Sequence, residues 1–98
     1  DHHETEKIRR DISNAILQGD VRLLVWNLGH LQFMDSSGIG MMLGRYKLIS
    51  GLNGKIMITS PQNSILKVIN VSGLNKIIPI YESVNDALES VNEVAYNG

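Results

Sequence analysis

The chain has no cysteine, which excludes disulfides and thiolate metal sites and fits a reducing compartment. It has two prolines, Pro61 and Pro79, and no internal repeat, linker or low-complexity segment. No apolar run approaches the ~20 residues of a helical membrane span, and no signal-peptide pattern is present, so no membrane partner is expected. A net charge of −1 provides no global attraction to nucleic acid or anionic lipid. Five aromatic side chains, one Trp, three Tyr and one Phe, are too few to build a platform for stacking on single strands. What remains is ordinary for a globular domain: 43% apolar and 19% charged residues. At 98 residues the chain fits one small domain burying roughly 65% of its unfolded surface.

Periodicity gives the elements. Ile8, Ile12, Ala15 and Ile16 fall on one helical stripe, with Glu4, Lys7, Arg10 and Asp11 off it, predicting an amphipathic helix over 3–18 closed by Gly19. "VRLLVWNL" (21–28) is almost continuously apolar, as in a strand covered on both faces of a parallel sheet. Ile39, Met42, Leu43, Tyr46 and Ile49 predict a second helix over 36–52, and Asn53-Gly54 a turn. "KIMIT" (55–59) reads as a strand. A short helix runs through Ile65, Leu66, Val68 and Ile69 and closes on a Schellman end at Gly73, with Leu74 as its apolar contact. "KIIPIY" (76–81) reads as an edge strand, because Pro79 has no N–H for a ladder. Ser83 caps a last helix with Val84, Ala87, Leu88 and Val91 on one side. Alternating helices and strands predict an α/β domain: a small, mostly parallel sheet packed with about four helices. Three strands make a thin sheet with two edges to protect, so a further N-terminal piece is expected.

The segment that carries chemistry is "FMDSSGIGMML" (33–43), where an acid, two serines and a glycine interrupt apolar sequence. Gly38, Gly40 and Gly44 follow within a helix, each at a cost of about 1 kcal/mol against alanine. They leave the backbone bare either for an approaching partner or for tight packing on a strand. A nucleophile elbow needs G-x-S-x-G and a positioned base, but "MDSSG" lacks the leading glycine, and His2, His3 and His30 are poorly placed. A dinucleotide fingerprint must follow a strand directly and have an acid about 20 residues on. Here "GHLQFM" intervenes and no acid lies between Asp35 and Glu82. No metal or cofactor is expected. A helix N-cap accounts for one such residue in "DSSG", but the loop supplies Asp35, Ser36 and Ser37 in a row. A serine at a helix mouth is also a favourable place for a phosphate.

"LQFMDSSGIGMMLGRYK" followed by "SPQNSILKVINVSGLNKII" closely resembles the anti-sigma-factor antagonists, small bacterial STAS-type domains. The opening "DHH" resembles the sporulation branch in particular. The family fold sets helices against a mixed sheet and has two further strands ahead of "DHH", so the chain is expected to be a single STAS domain short of those strands. The resemblance implies a cytoplasmic regulator rather than an enzyme. It would be phosphorylated on Ser36 by a partner anti-sigma factor that is itself a serine kinase carrying ATP or ADP, and reset by a protein serine phosphatase. Partner contacts are expected from Asp35, Ser36, Ser37, Gly38 and Gly40, with Asp1 and His2 near the serine loop. The alternative is a STAS module that senses or scaffolds without phosphorylation, binding a nucleotide or anion.

Overall fold

The computed structural model describes residues 22–97, with side-chain environments through residue 91. The expected first helix (3–18), Asp1 and His2 lie outside the described residues. Within them the order is β1 (Leu23–Asn27), α1 (Ser36–Gly51), β2 (Lys55–Thr59), α2 (Asn63–Ser72), a 3-10 turn (Leu74–Lys76), β3 (Ile80–Tyr81) and α3 (Val84–Asn97). The sheet order is β1-β2-β3 with both pairings parallel. The described part is therefore the α/β arrangement expected, with three of the four expected α-helices.

Among the described strands the middle one, β2, carries most of the core: Ile56, Met57, Ile58 and Thr59 are all buried, whereas β1, outermost of the three, is only half-buried. Alternation along the strand puts Ile56 and Ile58 on one face, clustered with Met42 and Ile49 of α1 and Ile65 and Ile69 of α2. The α1 stripe is thus the one its spacing predicts, with Ile39, Leu43 and Tyr46 packed partly buried beside it. Ala87 of α3 is fully buried. Leu88, expected on the same stripe, is 42% exposed, because one i+1 step turns its side chain about 100° away from Ala87.

Two turns depend on their residues. After α1, Asn53 takes φ 62°, a left-handed conformation that Asn tolerates, and the Gly54 N–H returns to the Ile49 carbonyl at 2.8 Å. A Cβ on Gly54 would stand 2.5 Å from Ile49 Cγ1, so only glycine closes this turn without moving the core. After α2, Gly73 is left-handed at φ 82° and Leu74 is buried. The end is looser than a Schellman motif: the Gly73 N–H reaches Asn70 O, and the Leu74 N–H bonds Ser72 Oγ at 3.2 Å.

The third strand is the main correction. Instead of 76–81 it spans only Ile80–Tyr81, preceded by the 3-10 turn. Parallel rungs alternate: Ile58 N bonds Pro79 O, and Ser60 N bonds Tyr81 O. The preceding rung would need an N–H from residue 79 to the Ile56 carbonyl, and Pro79 has none to give. The proline places the strand at an edge, as read from the sequence, and also cuts it short.

Candidate functional site

Parallel strands end on the same side, and the loops that follow them assemble there. The loop from β1 to α1 is anchored at both ends by buried side chains, Leu28 and Met34, while Leu31 and Phe33 between them stay exposed. Phe33, the single phenylalanine of the chain, is 74% exposed just ahead of the serines. The loop after β2 is tied to it: Gln62 Nε2 donates to the Gly29 carbonyl at 3.1 Å. Ser60 sits at φ 59° and donates through Oγ to the Glu82 carbonyl at 3.0 Å. All three post-strand loops are thus cross-linked around the entry to α1.

Asp35 is the N-cap of α1. Its backbone is extended, and Oδ1 accepts from the amides of Ser37 (3.0 Å) and Gly38 (3.4 Å). One carboxylate therefore satisfies two of the amides that a helix start leaves unpaired. This resolves the surplus in "DSSG": with Asp35 capping, Ser36 and Ser37 occupy the first two helical positions. Both are exposed, and among the described residues neither hydroxyl has a hydrogen-bond partner. The Ser36 oxygen is open to solvent at the positive end of a 16-residue helix with no acidic residue in its first turn.

The glycines divide. A Cβ on Gly38 would meet Met34 Cγ at 2.9 Å, so this glycine serves the fold, though against the loop rather than against a strand. Beyond the helix's own turns, no described neighbour lies within 4 Å of where a Cβ on Gly40 or Gly44 would sit, so packing among the described residues does not account for those two.

Ser36 and Asp35 also form the rim of a groove of about 400 Å³ between α1 and α2, lined further by Ile39, Lys67, Val68, Val71 and Ser72. Sequence reasoning missed this wall. Its signal was Val71, an apolar residue off the buried stripe of Ile65 and Ile69, and it is 90% exposed. Among the described residues no group of acids and histidines could hold a metal ion, and no helix is long and apolar enough to cross a membrane.

Comparison with known proteins decides the family. The model of the STAS domain matches residues 1–87. An anti-sigma F factor antagonist from Paenibacillus polymyxa is 38% identical over 97% of this chain and 81% of its own length. The chain belongs to the STAS-domain anti-sigma-factor antagonists. Another anti-sigma F factor antagonist, from Lysinibacillus sphaericus, is 46% identical over 76% of this STAS domain and 63% of its own length. Among solved structures, the anti-sigma factor antagonist SpoIIAA in its unphosphorylated form superposes with a TM-score of 0.83 at 38% identity, covering 95% of this chain and 80% of that one. The phosphorylated form of Bacillus SpoIIAA gives 0.75 at 38% identity, over 93% and 81%. The STAS fold inferred from "DSSG" and its flanks is thus the fold observed, and its relatives are regulatory proteins rather than enzymes.

Proposed function

We propose that this STAS domain binds an anti-sigma factor that is also a serine kinase, displaces the sigma factor held there, and is released when the kinase phosphorylates Ser36. The kinase carries adenine nucleotide, and a separate protein serine phosphatase restores the hydroxyl. The domain is ligand and substrate, not catalyst. The observation that supports this most directly is the Ser36 hydroxyl: exposed, without a partner among the described residues, and excused from capping by Asp35. That a related protein has been solved in both unphosphorylated and phosphorylated forms supports the chemistry.

The switch follows from charge. A phosphoserine carries about −1.5 to −2 charges at neutral pH. One like-charge pair at ~5 Å with an effective dielectric near 20 costs about 3 kcal/mol, or roughly two powers of ten in affinity. A carboxylate or nucleotide phosphate of the partner close to the docked loop therefore rejects the modified form, while the exposed position of Ser36 leaves the fold undisturbed.

The test is Ser36→Ala with an anti-sigma F factor and ATP. Binding persists within about twofold, and phosphate incorporation, read by intact mass and phosphopeptide mapping, is lost. Label found on Ser37 overturns the assignment. Nucleotide bound by the isolated domain, with no labelling, replaces the reading by that of a sensing module.

A further inference from the structure

Along β2, alternate residues turn their main-chain groups to opposite neighbours. The Lys55 N–H donates to Arg22 O on the β1 side and the Ile58 N–H to Pro79 O on the β3 side, so the N–H and C=O of Ile56 also face β3. Neither has a partner among the described residues. Pro79 has no N–H to offer the carbonyl, and residue 77 lies outside the strand. Yet Ile56 is only 4% exposed, and main-chain groups at that depth are nearly always bonded to protein, water or ligand. Ile56 lines a cavity of about 340 Å³, bounded among the described residues by Met57 and Val91 on the α3 side, Tyr46 on the α1 side, and Lys55. That volume suits a small molecule. A single extended residue laid antiparallel to Ile56 exchanges both bonds with it, giving its N–H to the carbonyl and an oxygen to the N–H. The oxygen then falls towards Lys55, whose ammonium has no ion pair among the described residues, and a carboxylate there gains a charge-assisted bond. The group ahead of that residue falls beside Met57.

We propose that this notch binds an N-acylated amino acid with a free α-carboxylate: its amide N–H on the Ile56 carbonyl, its carboxylate on the Ile56 N–H and the Lys55 ammonium, its apolar acyl group against Met57 and Val91, and a small side chain towards Tyr46. A peptide C-terminus and a free acylamino acid share this chemistry. The notch lies where β2 begins, at the end of the sheet opposite the loops around Ser36, so the site stands or falls separately from the phosphorylation reading.

The experiment titrates the protein with N-isovaleryl-alanine and follows its backbone amide resonances. Half-saturation falls on the order of 1 mM, with the largest shift at the Ile56 N–H. O-isovaleryl-lactate, which has an ester oxygen in place of the amide N–H, and the methyl ester of the acid, which has no carboxylate, each bind about tenfold more weakly. Lys55→Met weakens the acid about fivefold and leaves the methyl ester unchanged. A hexapeptide ending in Leu-Ala separates the two sources: if it binds as the small acid does, the ligand is a peptide terminus, and if the small acid alone binds, a free acylamino acid. Equal binding of the acid, its ester and the lactate analogue overturns the proposal, as does the lack of any shift at Ile56 by about 20 mM. So does an Ile56 amide that in the free protein already has the low temperature coefficient of a bonded N–H, since the notch is then filled by the chain itself.

Discussion

Asp35 and Ser36 are neighbours with opposite obligations. The carboxylate is spent on the amides of Ser37 and Gly38, and the hydroxyl is spent on nothing among the described residues. Replacing Asp35 by Ala removes the cap and costs about 1 kcal/mol of stability, while Asn in its place retains most of it. Urea denaturation of the two variants checks this, and an unchanged midpoint for Asp35→Ala would mean that the amides find other acceptors. The sequence made Asp35, Ser36 and Ser37 visible as a set, because three polar residues in an apolar stretch exceed what one helix start needs. Spacing alone did not say which of them caps, since any of the three could have done so. The backbone, extended at residue 35 and helical from 36, gives the cap to Asp35.

At the scale of elements, α1 is a helix whose apolar stripe was legible from spacing alone and whose glycines were not. Gly38 is explained by Met34, whereas Gly40 has open space where its side chain would be among the described residues. Gly40→Ala therefore stabilises the free domain by up to about 1 kcal/mol and slows phosphorylation of Ser36 if that bare turn admits the kinase. Paired thermal denaturation and initial labelling rates separate the two effects. Faster labelling together with a higher melting point would deny the glycine a role in docking. α2 was readable through Ile65 and Ile69, but the groove on its other side was not, because an exposed valine looks like any helix residue until a facing helix turns it into a wall. β3 was overread. Residues 76–78 have strand-like composition, yet with no N–H at Pro79 they do not join the ladder: Lys76 ends the 3-10 turn, and Ile77 and Ile78 follow it as a turn and bend in which Ile78 is still buried.

For the molecule as a whole, charge is segregated along the chain. All ten acids lie at or before Asp35 or from Glu82 onward, and residues 36–81 carry cations alone. Association with an anti-sigma factor through this segment should be electrostatically steered, with an on-rate that falls on the order of tenfold between low and high salt. Stopped-flow association at several ionic strengths measures it, and a rate indifferent to salt would place docking elsewhere. The overall architecture was legible because alternation of helix and strand leaves few topologies open. The cross-links among the three loops were not, since Gln62 to Gly29 and Ser60 to Glu82 join residues 33 and 22 positions apart.

The shortened third strand leaves one more mark. Ile56 and Ile58 are both nearly inaccessible, at 4% and 0% exposure, yet the Ile58 amide is held by Pro79 O and that of Ile56 has no counterpart on the same side among the described residues. In heavy water the Ile56 amide should take up deuterium well before its neighbour two residues on, despite equal burial. Within β2 the order of exchange is thus set by where the adjacent strand begins, since residue 77, whose carbonyl would face the Ile56 amide, lies outside β3.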